Sequence, residues 1–208
     1  MCLSPLEHEW ALYVHFPHYG HTASEASYAS QAYRLLTTFH TVQDFWSCLD
    51  KLVQTPSHVF FTTSSPRVQM EDRDVEAYGL FKVGVRPEWE DVLNRRGGHW
   101  ESRKAWTPEQ LDNVWVHLAM AVVGEGLEEY RDITGMRLVD KSRPPHKADY
   151  RIEVWTSTSD TVRNEAIRDK LMKELKEVDE MQFVWRMPSC PLRPLRELSS
   201  AMALALAN

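Results

Sequence analysis

Cysteine is scarce in this chain. Cys2, Cys48 and Cys190 are odd in number, far apart and without CxxC spacing, which excludes a disulfide framework and a zinc knuckle and suits a reducing compartment. Long apolar runs are also missing. No segment reaches the roughly 20 apolar residues that span a bilayer, and Met1-Cys2-Leu3-Ser4-Pro5 lacks the basic stretch and apolar run of a signal peptide. A soluble, cytoplasmic protein is therefore expected. Positive charge is not in surplus: 24 Lys and Arg face 30 Asp and Glu, for a net charge of −6. That excludes coating nucleic acid through a broad basic face but leaves room for a focal cluster that grips a few phosphates. Catalytic templates are absent as well. There is no GxSxG elbow, HExxH pair, P-loop or GxGxxG turn, and Arg96-Gly97-Gly98 and Gly124-Glu125-Gly126 are too short to cradle phosphates. His15, His18 and His21 are spaced by three, but Pro17 and Gly20 interrupt any helix that could align them on a metal, so they read as solvated loop histidines. The expectation is a binding protein with no cofactor and no metal, not an enzyme; a nucleotide-processing enzyme is the alternative from another class.

What the chain does contain is enough apolar residue, 43% of 208, to bury one sizeable core. Three segments carry helical periodicity behind recognisable start signals. The first runs from about Thr41 to Val53, with Thr41 as N-cap; the second opens at Thr107-Pro108-Glu109-Gln110 and ends near Gly124; the third spans about Thr161 to Val178. Between them lie short β-type runs at Trp10 to His15, Tyr33 to Phe39, Val59 to Thr62, Tyr78 to Val83, His99 to Lys104, Met136 to Val139, Tyr150 to Thr156 and Gln182 to Arg186. Several join directly without a helix, which predicts an α+β domain: a mainly antiparallel sheet with helices gathered on one face. Pro17 to Ser30, Ser64 to Glu76 and Lys141 to Asp149 read as long loops. The domain is expected over residues 1–190, with 191–208 as a C-terminal tail.

Eight tryptophans stand out. Trp10, Trp100, Trp106 and Trp185 read as packing residues, whereas Trp89 has a telling context in Lys82-Val83-Gly84-Val85-Arg86-Pro87-Glu88-Trp89-Glu90-Asp91. An indole in a Pro-preceded loop, followed by a carboxylate, offers a stacking face and an acceptor to the edge of one base. Guanine presents two donors there, N1–H and the N2 amine, and an ionised carboxylate can accept both. Methylation at N7 makes the base cationic, which adds roughly 0.5–2 kcal/mol of attraction per indole face.

These residues, together with Ser4-Pro5-Leu6, Trp10-Ala11-Leu12, Phe39-His40-Thr41-Val42-Gln43-Asp44-Phe45-Trp46, Gly124-Glu125 and Ile152-Glu153-Val154-Trp155-Thr156, resemble in order the translation initiation factor 4E family, over about Pro5 to Pro188. The resemblance implies a single domain whose curved antiparallel sheet holds the 7-methylguanosine mRNA cap on its concave side and three helices on its convex face. It implies that Trp89 is one slice of a base sandwich, Glu90 the acceptor for the guanine edge and Trp155 the ring against the N7-methyl group. A tryptophan of the family falls one residue from Tyr28, which becomes the second slice, with Tyr19 and Phe16 as substitutes. Lys141, Arg143 and Arg151 are the implied phosphate ligands, joined by Arg96 because His99 stands where the family usually has an arginine. Pro5, Val42, Trp46, Val116, Met120 and Gly124 match the surface that takes an initiation scaffold of the factor 4G type, or competing repressors, through a short helical motif. A repressor or mRNA storage role is the alternative within the family.

Overall fold

The computed structural model describes residues 3–17, 32–51, 69–124, 128–142 and 148–187. The helices begin where their capping chemistry dictates. Thr41 Oγ1 accepts the Asp44 amide at 3.1 Å, opening α1 (Val42–Lys51). Thr107 and Gln110 form a reciprocal capping box, with Oγ1 accepting the Gln110 amide and Gln110 Oε1 accepting the Thr107 amide, ahead of α2 (Pro108–Gly124). Asp160 caps α3 (Thr161–Leu175) by accepting the Arg163 amide at 2.9 Å.

Seven strands form one antiparallel sheet: β1 (Pro5–His15), β2 (Tyr33–Thr41), β5 (Ala77–Lys82), β6 (Gly98–Lys104), β7 (Ile133–Asp140), β8 (Tyr150–Thr156) and β9 (Val184–Arg186), in the order β2-β1-β5-β7-β8-β6-β9. A separate two-residue ribbon, β3 (Gln69–Met70) with β4 (Arg73–Asp74), lies in the stretch expected to be all loop. Glu71 and Asp72, both at positive φ, make its turn. The expected strand at Val59 to Thr62 and the tail from 191 lie outside the described residues.

Period-two alternation sorts the side chains onto two faces. Trp10, Leu12, Val14, Tyr78, Leu80, Met136, Leu138, Ile152 and Val154 join the core with Phe45, Leu49, Leu111, Trp115, Leu118, Ile167 and Leu171 of the three helices. Burial of this face drives folding, at about 1.5–3 kcal/mol for each large side chain. The in-between residues point to the other face. Phe81, Val85 and Trp155 make a small second cluster there, with Tyr13 and Trp89 against it. Gly135 is required at this point: a Cβ would stand 2.3 Å from the Phe81 ring. The architecture is the expected α+β one, with the helices on one side of a curved sheet. Among the described residues no helix is long and apolar enough to cross a membrane.

Candidate functional site

The site is on the helix-free face. Trp89 sits in the loop between β5 and β6, whose shape is set by two buried polar side chains. Asp91 accepts the amides of Arg86 and Leu93 at 3.1 and 2.9 Å. Asn94, fully buried, donates to the carbonyls of Arg86 and Glu88 at 2.8 and 2.9 Å, and its Oδ1 accepts the Thr134 hydroxyl of β7 at 2.8 Å. The loop therefore carries its own backbone substitutes and is tied to the sheet.

This loop lays Trp89 flat on Trp155 of β8, centroids 3.5 Å apart and planes within 8°. Phe81 meets Trp155 edge-on at 5.4 Å, and the Arg137 guanidinium lies 5.2 Å from its ring centroid. A cavity of about 180 Å³ opens beside the stack, lined among others by His15, Tyr33, Glu88, Trp89, Glu90 and Trp155. Trp89 is half-buried, Glu90 exposed and Trp155 buried, so a partly accessible indole and an accessible carboxylate stand next to a buried ring.

Electrostatics on this face centre on Glu153, 1% exposed on β8. Its Oε2 accepts the Trp155 Nε1–H at 2.9 Å and the Arg137 Nε–H at 2.8 Å; Arg151 Nε is 2.7 Å from Oε1. Burial alone would push this carboxyl up, but Arg137 and Arg151, with the indole N–H, hold it down to about 2. His99 is kept neutral, its pKa lowered chiefly by burial. Burial and Arg137 take His15 down to about 3. Its Nε2 has no partner within the described residues, and it belongs to the sheet face, not to a solvated loop.

Among the expected site residues, Trp89, Glu90 and Trp155 are thus gathered at one cavity. Lys141 follows β7 and pairs with Glu76, which also lines the cavity. Arg151 is engaged with Glu153 and, at 3.6 Å, with Glu101; Arg96 is exposed in the 3-10 turn before β6. Tyr28 and Arg143 lie outside the described residues, as does the substitute Tyr19; Phe16 is buried. Arg137 and Glu153 were given no role from the sequence, and His15 was read there only as a loop histidine. The signal for the first two was alternation, since Glu153 is two residues from Trp155 on β8 and pairs with Arg137 across the ladder.

The opposite surface presents its own exposed indole. Trp46 is 41% exposed and Val42 37%, unusual for apolar residues on an amphipathic helix. Pro5 pairs with Thr41, and the Val42 amide donates to the Ser4 carbonyl at 2.9 Å, which fixes the N-terminal segment against the start of α1. Val116 and Met120 are half-buried on α2, and Gly124 at its end is exposed with open space around it.

Residues 5–189 match the family model described as eukaryotic initiation factor 4E. The chain belongs to this family. It is 30% identical over 178 residues to eukaryotic translation initiation factor isoform 4E of Arabidopsis thaliana, covering 83% of this chain and 75% of that one. With eukaryotic translation initiation factor 4E-2 of Schizosaccharomyces pombe it shares 29% over 174 residues, 84% of this chain but only 61% of the length of that relative. A solved factor 4E structure from C. elegans, in complex with the 4E-binding protein Mextli and a cap analog, superposes with a TM-score of 0.67 at 27% identity, covering 96% of both chains.

Proposed function

We propose that the chain binds the 7-methylguanosine cap of mRNA on the concave face and engages a translation scaffold or repressor on the helical face. The observation that carries the reading is the trio at the cavity: a half-buried Trp89 on a loop, an exposed Glu90 beside it and a buried Trp155 stacked against the indole. Trp89 swings off Trp155 to offer a free face to the base, Glu90 accepts N1–H and the N2 amine, and Trp155 lies against the methyl group. Tyr28 is the second slice. Lys141, Arg143, Arg151 and Arg96 take the triphosphate, and affinity weakens with salt to the extent that they do. On the helical face, Trp46 is the anchor for a short amphipathic helix, with Pro5, Val42, Val116, Met120 and Gly124 around it. No chemical step is required of this arrangement. The cap-binding unit spans 1–190 and works in the cytoplasm.

The test is a titration with 7-methyl-GTP and, in parallel, GTP, followed by tryptophan fluorescence. Saturable quenching by the methylated nucleotide alone supports the reading. Trp89→Ala is expected to weaken that binding by roughly tenfold to a hundredfold, the worth of one stacked base. Equal responses to both nucleotides would overturn it. Prolonged incubation with a cap dinucleotide followed by chromatography exposes turnover, which would move the protein to the enzyme class.

A further inference from the structure

We propose that Glu153 and Arg137 are specificity-determining residues that set how strongly the cleft prefers a cationic base to a neutral one. This rests on the cap reading of the same cleft. Glu153 is almost wholly buried, yet a buried ion pair is no better for stability than apolar side chains of the same size. Its position suggests what it does instead. One of its oxygens, Oε2, accepts the Nε1–H of Trp155 at 2.9 Å and the Nε–H of Arg137 at 2.8 Å, with Arg137 Nη2 also 2.8 Å away. The carboxylate therefore fixes the orientation of the ring and compensates the cation lying 5.2 Å from that ring.

The charge balance decides the consequence. Among the described residues, in the network at the edge of Trp155, Glu153 and Glu101 face Arg137 and Arg151, two negative against two positive; Glu76, Glu88 and Glu90 line the cavity as well, the first two paired with Lys141 and Arg86. His99, whose ring nitrogens find no hydrogen-bond partner there, stays neutral. Arg186 approaches Glu101 only at 4.0 Å, at the far edge of the sheet. Arg137 lines the cavity, and Glu153 lies at the edge of the ring, on its Nε1–H. Removing the Glu153 charge leaves an uncompensated guanidinium against the surface on which a methylated, positively charged base must rest. Removing the Arg137 charge does the reverse. A neutral guanine feels neither change to the same degree, because the Coulomb term scales with ligand charge.

Two substitutions with opposite expected signs test the assignment. Glu153→Gln keeps size and an acceptor for the indole, and lowers the ratio of GTP to 7-methyl-GTP dissociation constants by about tenfold. Arg137→Met raises the ratio, and the double variant returns it towards wild type. A purely structural role predicts parallel losses for both nucleotides in both single variants, and that outcome overturns the assignment. Should Glu153→Gln fail to fold, as circular dichroism would reveal, Arg137→Met decides alone: an unchanged or lowered ratio rejects the proposal. A wild-type protein without preference removes the cap reading itself, whereas a selective wild type whose variants keep the ratio removes only this inference.

Discussion

The two faces of the sheet are made by the same strands, yet they answer to different physics. On the helical face, Trp10, Leu12 and Val14 of β1, Tyr78 and Leu80 of β5, Met136 and Leu138 of β7 and Ile152 and Val154 of β8 are large apolar groups in the core with α1 to α3. On the other face the alternate residues include aromatic and charged groups, Phe81, Trp155, Arg137 and Arg151 among them, and Glu153, His99 and His15 are buried although ionisable. One side holds the fold together, and the other retains groups that cost stability or add little to it. The comparison teaches that the helix-free face keeps ionisable groups at positions that a stability argument would fill with valine.

Breaking the comparison on the helical side has the largest expected effect. Leu118→Ala in α2, where the side chain is fully buried, should cost roughly 2–5 kcal/mol in urea unfolding while leaving the preference for 7-methyl-GTP over GTP in place. A large loss of selectivity in that variant would mean that the faces are not independent.

Acid sharpens the contrast. His15 is depressed from 6.5 to about 3 in the folded state, so between those values the unfolded chain takes up a proton that the folded one refuses. Stability must then fall as pH drops through that window, by about 1.4 kcal/mol per unit at most for one such group. Unfolding midpoints at pH 7.5 and 5.0 should differ accordingly. His99 is shifted in the same direction, so His15→Phe should reduce the difference without abolishing it. Glu153, depressed to about 2, behaves as a carboxylate: its contribution is present above the unfolded value and disappears only as pH falls towards 2.

The smallest effect on stability belongs to the exposed indole. Trp46→Ala should change unfolding by less than about 0.5 kcal/mol, as exposed substitutions do, and should still abolish capture of a helical scaffold peptide in a pull-down. Loss of stability without loss of capture would assign Trp46 to the core.

Much of this was legible in the residues. The three helices announced themselves through Thr41, the Thr107/Gln110 box and the apolar spacing behind them, because capping is a local interaction. That Trp89 and Glu90 stand together was readable from their side-chain chemistry, and that Trp155 lines the same cavity from the family resemblance. The ion network was not, because Arg137, Glu153 and Glu101 are brought together only by the register of β7, β8 and β6, which no single segment encodes. Nor was Asn94, whose task is to hydrogen-bond loop carbonyls that exist only once the loop has formed. The ribbon at Gln69 to Asp74 was read as loop because its turn uses Glu71 and Asp72 at positive φ, where glycine or asparagine is the usual sign.

The contact between Trp89 and Trp155 has a kinetic consequence. Two rings in face-to-face contact leave no room for a third, so a ligand that stacks on the face of Trp89 turned towards Trp155 can enter only while they are parted. Its observed affinity is the affinity of the parted form multiplied by the fraction of time spent parted: a slot open a tenth of the time binds about ten times more weakly than its contacts alone would give. Association would then level off at high ligand concentration, at the rate at which the indoles separate, and the strength of that one contact would set how quickly the protein samples its ligands.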